Sequence, residues 1–312
     1  MIGNCLIVGA GMAGLTAAAQ LVAGGWQVTL VDKGRGVGGR LATRRIGGRL
    51  FDHGAQFFTV RDERFRAAVA EWQAAGWVKP WFTLEGHTRY YAVGGMSALA
   101  KHLAAPFNVH LDTRVESISL IGAQWVATGA NFSADTLVMT PPAAQTLALL
   151  RPLLDEMPAE IGATLSAVDY DPCFALLAAL DGPSLIPPPG YARPESGPIE
   201  WIADNAMKGV CEGRGALTIH ARAEFTRQHL ESPKEEVAQQ LLQAAAPYLD
   251  SSIVEWQLHR WLYSKPVESR NDQCLFIAVP APLAIAGDAY AGSRVEGAFL
   301  SGLAAAARIA SH

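Results

Sequence analysis

The sequence predicts an α/β fold in which helices pack on a parallel sheet. Residues 5–8 form a short apolar run, which is typical of a strand buried on both faces, and residues 27–31 are predicted as the next strand. Between them lies a stretch rich in Ala and Leu, residues 12–22, which glycines follow. Because such glycines end helices, this order predicts a strand, a helix and a second, parallel strand.

Composition and charge exclude several classes of protein. The 312 residues are 50% hydrophobic and 17% charged, which is enough for a large core. A net charge of -4 and a pI near 6.1 give no electrostatic footprint for nucleic acid. We expect neither a membrane span nor a signal peptide, because no apolar run is long enough and no basic residue precedes the apolar N-terminus. The four cysteines are far apart and lack metal-site spacing, which predicts reduced, buried thiols, no metal and a cytoplasmic protein.

The same signals predict further elements along the chain. Ser232 and Glu235 form a capping-box pattern with Pro233 at the first helical position, so a helix should begin there and end near Tyr248. Other helices are predicted at residues 63–75, 96–104, 143–150 and 294–310. Strands are predicted at residues 109–111, 115–120, 125–128, 136–139, 173–180, 198–202, 217–221, 254–261, 275–279 and 283–286.

A change in the sequence pattern in the middle of the chain predicts an inserted second domain. From about residue 161 to residue 265, strand-like runs surround a loop rich in Pro and Gly, and the N-terminal texture returns after Asn271. The expected domains are a discontinuous nucleotide-binding domain of residues 1–61, 94–160 and 270–312, and a substrate domain of residues 62–93 and 161–269 with a mixed β-sheet plus helices.

A glycine fingerprint follows the first predicted strand. Gly9, Gly11 and Gly14 give the pattern G-x-G-x-x-G at the start of the first helix, and Asp32 ends the second strand. In this setting the glycines permit a tight turn, a close approach of backbone N–H groups to a pyrophosphate, and close packing of helix on strand. The helix dipole favours an anion there, and the acid can accept hydrogen bonds from a ribose. This context favours a Rossmann-type dinucleotide site over glycines used for packing alone.

A second glycine loop, residues 34–40, follows directly. Its glycines let the backbone curl close to an anion, and Arg35 and Arg40 can reach a pyrophosphate from the side opposite the helix. A solvated basic loop is the alternative, and we prefer it for Arg44 and Arg45. Contacts to the pyrophosphate from both loops indicate a tightly bound dinucleotide cofactor rather than one that exchanges with solution in each cycle.

The motif D-K-x-R-G-x-G-G-R at residues 32–40 resembles that of the flavin-containing amine oxidase superfamily. Within it, the chain looks most like the renalase-type NAD/FAD-dependent oxidoreductases of bacteria. The likeness covers most of the chain and is weakest between about residues 152 and 254. Three further segments carry it: FDHGAQFFT at residues 51–59, RYYAVGGMSALAKHLA at 89–104 and LAIAGDAYAGSRVEGAFLSGLAAA at 283–306.

The resemblance implies noncovalent FAD in a fold of the GR2 or p-hydroxybenzoate-hydroxylase-like type. It places residues 51–59 beside the isoalloxazine ring, Val115 near the adenine and Asp288 at the ribityl chain. His53 raises covalent attachment, which we do not expect. The residues implied to bind the cofactor are Gly9, Gly11, Met12, Ala13, Gly14, Asp32, Lys33, Arg35, Gly39, Arg40, His53, Gly54, Ala55, Gln56, Phe57, Val115, Gly287, Asp288, Val295, Glu296 and Ala298.

The C-terminal motif can also be interpreted from its residues. A predicted strand ends at Gly287 and Asp288, and a long Ala-rich helix begins beyond Gly292. The N-terminus of this helix would face the same crevice as the first helix, where its dipole can stabilise the negative charge of a reduced flavin. Asp288 as a helix N-cap is the alternative.

Candidate residues on the substrate side are fewer. Trp261 and Tyr263 are two apart on a predicted strand and therefore share a face, which suits either a planar substrate ring or core packing. His220 ends an apolar strand, where a core or turn histidine is the preferred interpretation. The resemblance places Gln56 and Phe57 near the flavin, although Phe57 suits the core equally. We assign no catalytic residue and expect no triad.

The resulting hypothesis is an FAD-dependent oxidase. A hydride would pass from a small substrate to flavin N5 and the electrons to O2, which yields hydrogen peroxide. The resemblance implies oxidation of the 2- or 6-dihydro isomers of NAD(P) to NAD(P)+; these need no general base, because hydride loss gives the aromatic ring, and positioning would carry the catalysis. The alternatives are a flavin amine oxidase acting on a small amine and a non-catalytic nucleotide-binding protein. No nucleic-acid or membrane partner is expected.

Overall fold

The computed structural model describes residues 3–213, 215–278 and 280–312. In chain order its elements are β1 (Asn4–Val8), α1 (Met12–Ala23), β2 (Gln27–Val31), β3 (Thr43–Ile46), β4 (Arg49–Asp52), α2 (Glu63–Ala74), β5 (Val78–Leu84), β6 (His87–Ala92), α3 (Met96–Ala104), β7 (Val109–His110), β8 (Ser117–Ile121), β9 (Gln124–Thr128), β10 (Phe132–Ala134), β11 (Thr136–Met139), α4 (Ala143–Leu150), α5 (Ala159–Ser166), β12 (Tyr170–Leu180), β13 (Tyr191–Ala192), β14 (Ile199–Asp204), β15 (Ala216–Ala221), α6 (Ala223–Gln228), α7 (Lys234–Ala245), β16 (Ile253–Pro266), β17 (Leu275–Ile277), β18 (Leu283–Ile285), α8 (Asp288–Ala291) and α9 (Val295–Ala310).

A six-stranded sheet holds the two ends of the chain together. Its order is β17-β18-β11-β1-β2-β7, and every pair is parallel except β17 with β18. The parallel pairing of β1 and β2 across α1 confirms the strand–helix–strand unit that the sequence predicts. Because β18 pairs with β11, the C-terminal strands join the same layer as β1. The α/β fold class is confirmed.

Helices α1 and α9 cross at a very short distance on one side of this sheet. A Cβ atom on Gly302 would lie 2.3 Å from the carbonyl oxygen of Ala13, and one on Gly14 would lie 2.0 Å from that of Gly9. Glycine is needed at both positions, because any side chain would overlap backbone there. The crossing brings α9 across the first turn of α1, next to the first glycine loop.

The inserted sheet has the order β13-β14-β15-β12-β16, and all its pairings are antiparallel, where we expect a mixed sheet from the sequence. Parallel neighbours need a crossover connection that leads each strand back to its starting end, usually through a helix. Here the neighbouring strands β13 and β14 are joined by residues 193–198, which contain no helix, so the antiparallel arrangement of this pair follows.

Alternation along β12 gives this sheet two different faces. Leu176 and Ala178 pack in a cluster with Leu241 of α7, whereas Leu177 packs with Phe51 of β4. One face is therefore covered by α7. The other face turns toward the β3–β4 hairpin, and hence toward the end of β4 where the 51–59 motif begins.

Two hairpins, β3–β4 and β5–β6, lie where the sequence analysis predicts no strand. Their turns contain Gly47 and Gly48, with φ of 53° and 80°, and Glu85 and Gly86, with φ of 51° and 73°. Positive φ at both central residues is the two-residue turn that matches the twist of the flanking strands. The Gly-Gly pair and the Glu-Gly pair are the sequence signals for these hairpins.

Two local expectations about polar residues are wrong. Arg44, interpreted as solvated, lies half-buried on β3 and donates to Gln257 Oε1 at 3.2 Å, whereas Arg45 is exposed as expected. Helix α7 begins without a side-chain cap, because the Ser232 hydroxyl lies 3.3 Å from His229 Nδ1 instead of turning to the helix.

The remaining corrections concern burial and boundaries. Of the four free cysteines only Cys5 is buried, and the other three are half-buried. Strand β17 ends at Ile277, and Val279 of the predicted strand lies outside the described residues. No helix in the described part of the chain combines the length and the apolar character needed to cross a bilayer.

Candidate functional site

The two glycine loops pack against each other at the carboxyl ends of β1 and β2. The Gly38 N–H donates to the carbonyl oxygen of Ala10 at 2.8 Å, and Gly38 forms an isolated parallel bridge with Gly11. Asp32 joins the loops, because its two carboxylate oxygens accept from the N–H groups of Ala10 and Gly34, each at 2.7 Å. A carboxylate has further lone pairs, so Asp32 keeps capacity for the ribose hydroxyls that the sequence predicts as its ligands.

The two loops touch each other through glycines that lack side chains. A Cβ atom would lie 3.9 Å from the nearest atom at Gly11 and 3.7 Å at Gly39, which is ordinary contact, whereas one on Gly287, just before Asp288, would meet nothing within 4 Å. Gly11 is also the N-cap of α1 and supplies no side chain to its N–H groups. The first turn of α1, with Met12 and Ala13, therefore begins without a side-chain cap, and such a helix N-terminus suits a pyrophosphate.

Arg40 and Asp288, predicted cofactor residues from opposite ends of the chain, are in contact. The Arg40 guanidinium donates to both carboxylate oxygens of Asp288, at 2.7 and 2.6 Å, and to the carbonyl oxygen of Ser264 at 3.2 Å. Burial disfavours the charged guanidinium, but Asp288 outweighs this effect and raises the pKa of Arg40. The contacts of this pair with a pyrophosphate and a ribityl chain stay predictions.

The N-terminus of α9 is fixed by Glu296. Its Oε1 accepts from the N–H groups of Arg61 at 2.6 Å and Asp62 at 2.8 Å, and the residue is only 5% exposed. The carboxylate therefore ties α9 to the segment that leads into α2. Val295 and Ala298 lie in the first turn of the same helix, so backbone groups rather than the Glu296 side chain are available to a ligand at this end.

Three other predicted cofactor residues lie around the end of β2. Val115 is buried in a loop whose Thr113 N–H donates to the carbonyl oxygen of Asp32 at 2.9 Å. That bond places the loop beside the acid expected at the adenosine ribose. Lys33, just before the second glycine loop, and Arg35, within it, are exposed.

Segment 53–57 packs directly on the second glycine loop. The Ala55 N–H donates to the carbonyl oxygen of Arg40 at 2.9 Å, and a Cβ atom on Gly54 would lie 2.0 Å from the same oxygen. Gln56 is 6% exposed; its Nε2 donates to the carbonyl oxygen of Asp52, and its Oε1 has no partner within the described ranges. The segment predicted to pass the isoalloxazine is thus held against the loop predicted to grip the pyrophosphate.

The backbone carbonyl of His53 connects this segment to the inserted sheet. It accepts from Trp261 Nε1 at 2.8 Å and lies 3.2 Å from His220 Nε2. The His53 ring stacks on Trp261, with centroids 5.4 Å apart, and meets His259 edge-on at 5.0 Å. Burial lowers the pKa of His53 to about 3 and the pKa values of His220 and His259 to about 4. All three imidazoles are therefore neutral at pH 7.

Strand register explains why His220 and His259 lie on the same face of the inserted sheet. Trp201 is opposite His220, His220 is opposite Ala175, and Ala175 is opposite His259. Directly opposite residues of antiparallel strands share a face, so these four side chains form one row across β14, β15, β12 and β16. The sequence shows the alternation along each strand but not the register that aligns them.

Trp261 and Tyr263, predicted to share a face of β16, contact different partners. Trp261 stacks on His53, whereas Tyr263 packs edge-on against Tyr170 with ring centroids 5.5 Å apart. The two rings therefore do not enclose a common space.

A buried ion pair that the sequence analysis missed lies behind segment 53–57. Lys208 Nζ is 2.8 Å from Asp52 Oδ2, and both side chains are 0% exposed. The other oxygen, Asp52 Oδ1, accepts from the Thr43 hydroxyl at 2.6 Å and the Met96 N–H at 2.8 Å. Burial lowers the pKa of Lys208. The partners are 156 positions apart, and no motif or periodicity marks either as half of a pair.

The residues present fit FAD. The uncapped N-terminus of α1 suits the pyrophosphate, and Asp32 retains acceptor capacity for the ribose. Two buried polar atoms of segment 53–57, His53 Nδ1 and Gln56 Oε1, have no partner within the part of the chain that the structure describes. Buried polar atoms need partners, and the polar edge of a flavin offers both donors and acceptors. When bound, FAD supplies the hydride-accepting chemistry.

Solved structures and curated proteins share the architecture or short stretches of sequence. A putative protoporphyrinogen oxidase from Exiguobacterium superposes with a TM-score of 0.77 and 14% identity over 99% of this chain and 98% of that one. A putrescine oxidase bound to putrescine gives 0.71 and 15% over 99% of both chains. A hydroxyneurosporene desaturase from Rubrivivax gelatinosus is 38% identical over 100 residues, which are 31% of this chain but only 16% of the desaturase.

The family comparison covers far more of the chain. Residues 7–72 match the NAD(P)-binding Rossmann-like domain, which contains both glycine loops. Residues 63–310 match the flavin containing amine oxidoreductases, and this stretch includes the inserted sheet, Asp288 and α9. With most of its length matched, the chain belongs to the flavin containing amine oxidoreductase family.

Proposed function

We propose that this protein is a renalase-type oxidase that converts the 2- or 6-dihydro isomers of NAD(P) to NAD(P)+. The observation that carries the proposal is the arrangement of Trp261 and Tyr263. In a flavin amine oxidase we expect facing aromatic rings to hold the substrate amine, whereas these two rings pack on His53 and Tyr170. A dihydronicotinamide requires no such cage.

The chemistry of this substrate agrees with a site whose histidines are weak bases, because burial lowers the pKa of each of them. A dihydronicotinamide loses a hydride, which carries two electrons and one proton, and becomes an aromatic pyridinium. O2 takes the two electrons together with that proton and a second from solvent, which gives hydrogen peroxide. No base has to remove a proton from the substrate, so binding and orientation supply the catalysis. His220 Nε2 lies at the carbonyl oxygen of His53, and the rings of His53 and His259 contact each other edge-on. The acceptor O2, noncovalent binding of FAD and a cytoplasmic location stay predictions.

Anaerobic mixing of the FAD-loaded protein with candidate donors tests the proposal. We expect 2- and 6-dihydro-NAD(P) to bleach the flavin absorbance within the mixing experiment, and air to restore it with release of one hydrogen peroxide per donor. Small amines are the matched comparison. Rapid bleaching by amines without bleaching by the isomers would show that the protein is an amine oxidase, and a yellow protein that no donor bleaches would show a binding protein.

A further inference from the structure

Five aromatic side chains form a continuous patch beside segment 53–57; we name it the aromatic cluster. Phe57, the last residue of the segment, supplies one ring. The β5–β6 hairpin supplies Trp81 and Phe82, and the inserted sheet supplies Tyr191 and Trp201. Trp201 and Tyr191 are stacked at 4.7 Å and 5°, and Tyr191 and Phe82 at 4.3 Å and 12°. All five side chains are half-buried, so the cluster is not interior core.

The cluster is contiguous with the predicted flavin side of the molecule. Phe57 and Trp201 have ring centroids 5.4 Å apart. Trp201 lies opposite His220 in the strand register, and His220 is 3.2 Å from the carbonyl oxygen of His53. A substrate that reaches segment 53–57 can therefore extend over these rings.

Arg89 places a positive charge on this cluster. Its guanidinium carbon lies 5.7 Å from the ring centroids of both Phe57 and Phe82. The guanidinium donates to the carbonyl oxygens of Leu84 and His87, and no carboxylate pairs with it among the described residues. Its Nε is buried and has no partner in the same residues. A charged donor with an unused N–H requires an acceptor.

Two further features of the cluster point the same way. Trp201 Nε1 is a second buried donor without a partner within the described residues. Lys208 Nζ lies 5.2 Å from the centroid of the Trp81 ring, although its charge is balanced by Asp52. Phe57, Phe82 and Trp81 each already have a cation of the protein over the ring. The half-buried rings leave part of their surface exposed next to donors without partners, and the charge of Arg89 disfavours an ammonium group at this surface.

We propose that the aromatic cluster with Arg89 binds the part of the dinucleotide substrate away from the reacting ring: a planar heteroaromatic base that stacks on the rings, and a phosphate that accepts from Arg89. This inference rests on the proposed function and names the residues that select a dinucleotide substrate. Stacking is tolerant of the base, and the guanidinium selects an anionic over a cationic substrate. The same charge repels small amines from the entrance.

The test measures binding of NAD+ and of adenosine to the FAD-loaded protein by titration calorimetry. Arg89→Gln removes the charge and should weaken NAD+ binding about tenfold, with less than about twofold change for adenosine, which lacks phosphate. Arg89→Lys should recover part of the loss. Trp201→Leu should weaken both ligands by about tenfold, because both stack. Arg66→Gln, an exposed arginine that pairs with Glu63 on α2, is the matched control and should change neither.

Equal losses of NAD+ and adenosine in Arg89→Gln, or unchanged NAD+ binding in both Arg89→Gln and Trp201→Leu, would overturn the assignment. An unchanged flavin spectrum and thermal transition in each variant confirm that the comparison is between folded proteins. Bleaching by dihydronicotinamides with no effect of these substitutions on NAD+ binding would leave the proposed reaction standing and refute the binding site. If the variants show the expected pattern of NAD+ binding but neither isomer bleaches the flavin, the binding site stands and the proposed reaction is refuted.

Discussion

At the scale of single residues, Arg40 joins the second glycine loop to the C-terminal motif through Asp288. We expect Arg40→Ala to lower the free energy of unfolding of the apoprotein by about 1–3 kcal/mol, because Asp288, only 8% exposed, loses two charge-assisted hydrogen bonds. FAD retention during dialysis should fall as well, since the second loop loses its anchor and its donor. Urea titration and flavin absorbance measure the two effects. Arg45→Ala, an exposed arginine on the neighbouring β3–β4 hairpin, is the control, and equal behaviour of the two variants would make Arg40 a surface residue.

How far the sequence predicts the site also depends on single residues. Asp32 and Arg40 could be identified because glycines surround them and a strand end precedes them, so local pattern carries the information. Lys208 and Asp52 are 156 positions apart, and only the fold brings them into contact. The contacts of His53 with the inserted sheet could not be predicted from the sequence for another reason. They involve its backbone carbonyl, which every residue type possesses.

At the scale of elements, the contact between α1 and α9 depends on the absence of side chains. We expect Gly302→Ala to destabilise the protein by about 1–3 kcal/mol, because the new Cβ atom would lie 2.3 Å from the carbonyl oxygen of Ala13 and the helices must separate. The matched control is Gly162→Ala in α5, where the nearest atom is 3.7 Å away and the gain in helix propensity should leave stability unchanged or improve it. Thermal unfolding of both variants checks the pair. A neutral Gly302→Ala would mean that the two helices are not in close contact.

The sequence predicts best those elements that a glycine or proline precedes and whose apolar residues have regular spacing. Helices α3 and α4 match the predicted bounds, because glycine or proline precedes each of them and their apolar residues have helical spacing. The β5–β6 hairpin was missed because Pro80 and charged residues interrupt its alternation, and only the Glu85-Gly86 turn marks it. That omission also concealed the aromatic cluster, since the hairpin supplies two of its rings and carries Arg89.

At the scale of the whole molecule, segment 53–57 lies between two layers that are built from distant parts of the chain. The glycine loops hold one side of it through the Arg40 carbonyl, and β15 and β16 hold the other side through the His53 carbonyl. Any ligand that contacts this segment therefore contacts the junction of the six-stranded sheet and the inserted sheet. Conditions that weaken the junction should weaken folding and cofactor binding together.

Acidification is such a condition, because three buried imidazoles lie at this junction. In the folded protein the pKa of His53 is lowered to about 3 and those of His220 and His259 to about 4, whereas an imidazole in the unfolded chain titrates near 6.5. Between these values the unfolded chain binds more protons, so the stability from the neutral histidines is complete above pH 6.5 and is lost as the pH falls toward 4. We expect a loss of roughly 3–5 kcal/mol over that window, after allowance for the partial exposure of His220 and His259. Urea titrations at pH 7, 6 and 5 measure it. His259→Gln should flatten the pH dependence by about one proton. Identical slopes in this variant and in the unaltered protein would show that the histidines of the junction are not the groups that titrate.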